Sequence, residues 1–381
     1  MKKKIFIFIY SLASGGAERV TSILLKELKK EFHITLVLMN NTMFYEIPSD
    51  VEIIYLEQSS FNENNIFKLL KLPILALKYK KLCKDNKIDT SLSLLVRPNW
   101  INILSKIFGN KSKCIISERS LVSEEYKKNN FQSKIVKYLI SNLYNKADKL
   151  IGISEGSTLD LIENYNVIKE KIKIIYNPID LKFISKQTVV KKINNNLFTF
   201  ITVGRLVKGK NHELLINSML HFQDSIKLVI VGDGEEREKL ELLVQKLKIK
   251  NIEFVGLQKN PFVYLSNADC FLFATNHESF GNVLLEALAC GLPIISTDCK
   301  SGPREILAPN TDFKKQLKDD IEISEYGILT PINDKKNMIK AMKLIQTDKR
   351  LRDSYIQKAK NRASYFNKDT IIKEWITVIE N

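Results

Sequence analysis

His277-Glu278-Ser279-Phe280-Gly281-Asn282-Val283-Leu284-Leu285-Glu286-Ala287-Leu288-Ala289-Cys290-Gly291 carries two carboxylates eight positions apart, across a loop that turns into a helix. Ser279-Phe280-Gly281-Asn282 reads as the helix entry, residues 283–290 as its body, and Gly291 with Pro293 as its stop. Glu286 then sits about one turn inside the helix, and Glu278 in the loop before it. The N–H groups of that first turn and the helix dipole favour an anion in the same space. One Glu near a helix start is most often a capped surface feature. Here the preceding Cys270-Phe271-Leu272-Phe273-Ala274 reads as a buried strand. A buried parallel strand that runs through a polar loop into a helix is where open α/β sheets bind ligands. An anion beside carboxylates suits a ligand with both phosphate and hydroxyls, such as a sugar nucleotide.

Outward from this stretch, strand-like and helical runs alternate along the chain. Strands are expected near 4–10, 34–39, 51–55, 90–95, 113–117, 149–153 and 171–176, with helices at 17–30 and 132–145 among those between. Asn177-Pro178-Ile179-Asp180 breaks the alternation, and residues 181–196 are polar and rich in Lys and Asn. Strands resume near 197–203, 227–231, 252–255, 270–273 and 293–296. The expectation is an α/β protein of two Rossmann-like, doubly wound domains facing across a cleft. Its boundaries are 1–180, a linker at 181–196, 197–355, and a terminal helical segment at 356–381.

Two loops follow first strands. Val203-Gly204-Arg205-Leu206-Val207-Lys208-Gly209-Lys210-Asn211 holds Arg205 and Lys210, a planar fork of donors and a compact point charge, both suited to phosphate. Together they can stabilise the charge on a departing diphosphate, work that a metal does elsewhere. Lys208 is expected to be exposed. Ser14-Gly15-Gly16-Ala17-Glu18-Arg19-Val20 lets backbone approach a ligand at Gly15 and Gly16. It lacks the G-x-G-x-x-G spacing of dinucleotide binders, which disfavours an NAD enzyme.

With these motifs in place the chain resembles the retaining glycosyltransferases of family four, which have the two-domain GT-B fold, over nearly its whole length. Glu278 and Glu286 match their E-x7-E signature, Gly204-Arg205-Leu206 with Lys210 their diphosphate motif, and Val231-Gly232-Asp233-Gly234 their Gly-Asp-Gly loop. The resemblance implies that Glu278 contacts the donor sugar and Glu286 the ribose hydroxyls. The backbone from Phe280 through Gly281, Asn282 and Val283 would face the diphosphate, and Gly15 and Gly16 would line the cleft. Phe254-Val255-Gly256 and Asn260-Pro261 resemble the nucleobase surroundings, and Ser301-Gly302-Pro303-Arg304-Glu305 a loop of polysaccharide-assembly members, with Arg304 alternatively a surface ion-pair residue. One position departs: where many members place a His, this chain has Ser117-Glu118-Arg119-Ser120. Arg119 stands at the His position, so Glu118 and Arg119 are candidate donor or acceptor contacts or else a structural ion pair. His33 is read as structural. The last helix is expected to cross back to the first domain through Tyr365-Phe366 and Trp375-Ile376.

The implied activity is retaining, metal-independent transfer of a hexose or N-acetylhexosamine from a nucleotide-sugar donor, UDP-linked by preference, to a lipid-linked glycan or polysaccharide precursor. No cofactor is called for. A GDP-mannose-dependent mannosyltransferase and a non-catalytic sugar-nucleotide-binding subunit are the alternatives.

Composition agrees with this reading. Of 381 residues 44% are hydrophobic and 27% charged, which is globular, and the net charge of +16 favours an anionic partner. No recognition motif or stacking aromatics point to nucleic acid. Five unpaired cysteines suit a reducing cytoplasm. Lys2-Lys3-Lys4 before Ile5-Phe6-Ile7-Phe8-Ile9-Tyr10 imitates a signal peptide but is read as a first strand, because a glycine loop and an amphipathic helix follow at once. Between residues 64 and 87 seven lysines (Lys68, Lys71, Lys78, Lys80, Lys81, Lys84, Lys87) and one acid, Asp85, interleave with large apolar residues. Such a segment can rest on anionic lipid, each Lys adding about 1 kcal/mol, and a peripheral position on the inner face of the cytoplasmic membrane is expected. Pro73 must kink or restart any helix there.

Overall fold

A computed structural model describes residues 2–60, 63–127, 130–188, 197–222 and 225–381. The chain divides into two compact units, one of Met1–Pro178 with Lys368–Asn381, the other of Ile179–Asn367.

The first unit is built on seven strands: β1 (Lys4–Ile9), β2 (His33–Leu38), β3 (Glu52–Tyr55), β4 (Thr90–Leu94), β5 (Lys113–Ser117), β6 (Lys149–Gly152) and β7 (Ile172–Ile174). They lie in the order β3-β2-β1-β4-β5-β6-β7, every pair parallel. A parallel sheet needs cover on both faces, so its central strands read as unbroken apolar runs. In β1 the period of two sorts that run between two cores. Phe6 and Phe8 go to one side with Tyr79, Trp100 and Tyr144, and Ile5, Ile7 and Ile9 to the other with Leu24, Leu28 and Trp375. The Phe8 and Tyr79 rings stack with centroids 4.7 Å apart.

The second unit repeats the plan with β8 (Phe198–Val203), β9 (Ile226–Val231), β10 (Ile252–Gly256), β11 (Cys270–Phe273), β12 (Ile294–Thr297), β13 (Glu322–Ile323) and β14 (Ile328–Thr330). Their order is β10-β9-β8-β11-β12-β14-β13, with β13 antiparallel to β14. In each sheet the chain winds one way from its first strand, then returns to that strand's other side. The resulting switch points lie between β1 and β4, and between β8 and β11. Loops leaving the carboxyl ends of such strands form the ligand crevice of doubly wound folds.

Two expected boundaries shift. Residues 181–187 are not linker but a helix, Leu181–Gln187, begun by the Asp180 carboxylate accepting from Phe183 N–H. Phe183 meets the Phe262 ring at 6.2 Å, and Asn260 donates to Gln187, so this helix belongs to the second unit. The expected 189–196 stretch lies outside the described residues. The terminal segment also divides later than residue 356. Helix Lys349–Ser364 stays with the second unit, where Arg362 donates to the carbonyls of Glu305 and Ile306. Phe366 packs on Phe280 there, while Tyr365 is exposed. Only helix Lys368–Glu380 joins the first unit, with Trp375 wholly buried and Lys368 paired with Glu27. Among the described residues no helix is long and apolar enough to cross a membrane.

Candidate active site

The loop after β8 and the loop after β11 are sewn together at the second switch point. Asn276 N–H and the Thr275 hydroxyl both donate to the Gly209 carbonyl, at 2.9 and 3.1 Å. Thr297, at the end of β12, donates to the Thr275 carbonyl at 2.6 Å. At Gly209 a Cβ would lie 2.9 Å from the His277 ring, so a side chain there would have to displace that ring. The short turn Lys208–Lys210 ends at Asn211 in the left-handed region, and its amide holds Asn333 at 2.8 Å. These ties present Lys210 to Glu278.

Lys210 Nζ donates to Glu278 Oε2, forming an ion pair whose side chains are 24% and 18% exposed. The ammonium also lies 5.2 Å above the Phe273 ring centroid, a favourable cation–π distance. The other Glu278 oxygen accepts from Ser279 N–H at 3.1 Å. Burial works to raise the Glu278 carboxyl. The Lys210 charge and hydrogen bond, with help from Ser279 N–H and His277, outweigh it and hold Glu278 below the usual carboxylate range. Arg205 stands exposed on the same loop as Lys210, its guanidinium without a partner among the described residues. Lys208 is exposed too.

Helix Asn282–Ala289 starts at Gly281, which has φ +95° and so favours glycine. Glu286 is on its second turn and is buried. Val283 is half-buried at its start. Phe280 differs from its neighbours: its side chain is buried against Phe366, ring centroids 5.7 Å apart.

A support invisible in the motif comes from the loop after β12. Ser301 donates to the Ser279 carbonyl at 2.7 Å, and Gly302 packs so closely that a Cβ would lie 2.1 Å from the Phe280 carbonyl oxygen. Arg304 is buried rather than a surface residue, paired with Asp298 at 2.6 Å and Glu322 at 3.1 Å. Asp298 also accepts from Leu317 N–H at 2.8 Å, which anchors the loop behind Glu278. The SGPRE run signalled this loop, but its partners are distant in sequence. On the other side, Gly232 and Gly234 let the loop after β9 lie against Gly204 and Leu206: Cβ atoms there would sit 1.9 and 2.4 Å from their carbonyl oxygens.

In the first unit Gly15 and Gly16 lie where the loop after β1 becomes helix Gly16–Leu28. Glu118 and Arg119 follow β5, and both are buried. Glu118 accepts from the N–H groups of Arg119 and Ser120 at 2.9 and 3.0 Å, from the Ser120 hydroxyl at 2.7 Å, and from the Tyr144 hydroxyl. Arg119 donates to Asn177 at 2.6 Å and Ser117 at 3.4 Å. No ion pair joins the two among the described residues. Burial raises the Glu118 carboxyl and lowers the Arg119 guanidinium to about 10. His33 is exposed at the start of β2.

Family comparisons cover almost the whole chain: residues 14–183 match the model for Glycosyltransferase Family 4, and residues 184–362 that for Glycosyl transferases group 1. The chain is 41% identical, over 98% of its length and 98% of the relative's, to N-acetylgalactosamine-N,N'-diacetylbacillosaminyl-diphospho-undecaprenol 4-alpha-N-acetylgalactosaminyltransferase of Campylobacter jejuni. A second transferase of that organism, GalNAc-alpha-(1->4)-GalNAc-alpha-(1->3)-diNAcBac-PP-undecaprenol alpha-1,4-N-acetyl-D-galactosaminyltransferase, is 29% identical over 99% of this chain and 98% of its own. Among solved structures, Anabaena HepE with UDP and glucose superposes with a TM-score of 0.79 at 19% identity, covering 100% of both chains. Sucrose-phosphate synthase from Thermosynechococcus elongatus gives 0.83 at 18% identity, covering 100% of this chain and 98% of that one. These likenesses show the GT-B fold. With that fold, the two family matches and a relative at 41% identity across its length, the chain belongs to glycosyltransferase family 4 and is a glycosyltransferase.

Proposed function

We propose that this glycosyltransferase moves a hexose or N-acetylhexosamine from a UDP-linked donor to a lipid-linked glycan precursor, with retention at the anomeric carbon and without a metal. The observation that carries the reading is the Lys210–Glu278 pair beside an unpartnered Arg205 at the second switch point. Lys210 exchanges its carboxylate for the donor diphosphate, and Arg205 joins it as negative charge grows on the leaving group. Glu278, released, meets the sugar hydroxyls. Glu286 holds the ribose, and the first turn from Gly281 to Val283 faces the phosphates. Gly15 and Gly16 add backbone contacts, while Glu118, held by Ser120 and Tyr144, and Arg119, held by Asn177 and Ser117, act by shaping the loop after β5. The anomeric C–O bond to the diphosphate breaks, the acceptor oxygen bonds to the same carbon, and the acceptor proton passes to the departing phosphate oxygen.

Support for the substrates comes from relatives. The first Campylobacter jejuni protein is named for transfer of N-acetylgalactosamine to an undecaprenol-diphosphate-linked sugar, and HepE was solved with UDP and glucose. A lipid-linked acceptor supports work at a membrane surface, which we read as the inner face of the cytoplasmic membrane. The test is a panel of UDP- and GDP-sugars, scored for nucleoside diphosphate release with and without a lipid-diphosphate-linked acceptor. Stimulated UDP release with an α-linked product is expected. Turnover with GDP-mannose alone would select a mannosyltransferase, and no release from any donor a binding subunit.

A further inference from the structure

The segment between residues 64 and 87 folds as two helices, Asn65–Leu70 and Leu72–Asp85, with Pro73 in the first turn of the second, where its missing N–H costs nothing. The second helix turns Leu72, Leu75, Ala76, Tyr79 and Cys83 inward. Its opposite face carries Ile74 and Leu77, and the preceding helix adds Ile66, Phe67 and Leu70; all five are more than half exposed. Large apolar residues on consecutive outward turns form the kind of patch that soluble surfaces rarely leave open.

Five of the seven lysines divide into two sets. Lys71 pairs with Glu63 and Glu57, Lys78 donates to the Leu56 carbonyl, and Lys80 to the Phe108 carbonyl at 2.6 Å. These hold the helices to the unit. Lys81 and Lys84 are exposed and without partners among the described residues. They continue the Ile74–Leu77 face one and two turns on. An apolar stripe edged by open cations, with Asp85 the one acid of either helix, fits an anionic lipid surface.

We propose that Ile66, Phe67, Leu70, Ile74 and Leu77 insert into the headgroup and acyl boundary of an anionic membrane, with Lys81 and Lys84 on its phosphates. This deepens, and rests on, the reading of a lipid-linked acceptor. Insertion of apolar side chains, more than charge, supplies the attachment, because Lys71, Lys78 and Lys80 are engaged within the protein. Such binding survives salt that screens surface charge.

Sedimentation of the full chain with phosphatidylglycerol–phosphatidylethanolamine vesicles, and with phosphatidylcholine vesicles, tests this. Leu70→Glu with Ile74→Glu should cut anionic-vesicle binding about tenfold or more, Lys81→Gln with Lys84→Gln only a few-fold, and wild type should keep most binding in about 0.5 M salt. Hydrolysis of the donor in water checks that each variant is folded. Equal sedimentation of the glutamate variant and wild type overturns the proposal. So does complete loss of wild-type binding in salt, or a wild-type dimer that the glutamate variant dissolves without any vesicle binding. Vesicle binding with no transfer to any lipid-linked acceptor would instead overturn the function and leave the surface standing.

Discussion

Lys210 is tied to Glu278 and lies over the Phe273 ring, so removing it strips a half-buried carboxylate of its partner as well as the diphosphate of its cation. Lys210→Ala should lower stability by about 1–3 kcal/mol. Arg205→Ala, exposed and unpartnered, should leave the melting temperature unchanged. Both should reduce turnover by roughly 10²–10³ while weakening UDP binding less, since the charge they meet is greatest as the glycosidic bond breaks. Steady-state kinetics beside calorimetry with UDP separates these effects, and equal losses in both would place the two cations in ground-state binding alone. Chelation should leave turnover intact; loss with EDTA restored by magnesium would end the metal-free proposal. A neighbouring residue sets a pH dependence. His212 is buried with Nδ1 unpartnered, and burial, aided by Lys210, pushes it down to about 4. The unfolded chain binds that proton near pH 6.5, so it holds more protons than the fold between there and 4. Stability is therefore full above about 6.5 and declines as pH falls towards 4, by roughly 3 kcal/mol from this group. His212→Leu should flatten the melting-temperature profile within that window, and an unchanged slope would exclude His212 as its source.

Elements place these residues through glycines as well as through side-chain contacts. Gly302 has φ +86° and no space for a Cβ beside the Phe280 carbonyl, so Gly302→Ala must displace either its own loop or the one carrying Ser279. A loss of about 1–3 kcal/mol is expected, with lower activity. Gly204→Ala is the contrast: nothing lies within 4 Å of a Cβ there, and stability should stay within about 0.5 kcal/mol. Equal melting temperatures for the two alanine variants would show that the loop after β12 yields freely. The same loops mark how far sequence reading reaches. The central strands were legible because two-sided burial makes them apolar runs, and so was the place of Glu278, Arg205 and Lys210 in loops that follow such strands; their roles belong to the proposed function. β13 and β14 were not, being two and three residues long. Helix Leu181–Gln187 was hidden by Lys-rich composition although Asp180 caps it. The burial of Arg304 depends on Asp298 and Glu322, and that of Phe280 on Phe366, pairings that no local pattern announces.

At the scale of the whole molecule, the chain closes its first unit with residues from far along its length. Helix Lys368–Glu380 sets Ile371, Ile372, Trp375, Val378 and Ile379 into the core that holds Ile5, Ile7 and Ile9 of β1. Lys113 donates to the Val378 carbonyl and Lys3 to that of Glu380, and Lys368 pairs with Glu27. The second unit keeps a separate core around Phe200, Leu215, Leu272 and Met342. A defect in the last helix should therefore be felt in the first unit, although the altered residue follows the whole second unit in sequence. Trp375 is wholly buried, and Trp375→Ala removes its ring at a cost of about 3–5 kcal/mol. Hydrogen exchange on the full-length variant should quicken in helix Gly16–Leu28 and strands β1 and β2, which share that core. Amides of β8, β9 and β11 should keep wild-type protection, and UDP should bind with wild-type affinity if its site lies in the second unit. Uniformly faster exchange across both sheets would mean that the two cores melt as one cooperative body. Unchanged exchange in β1 would mean that the last helix contributes little to the first unit's stability.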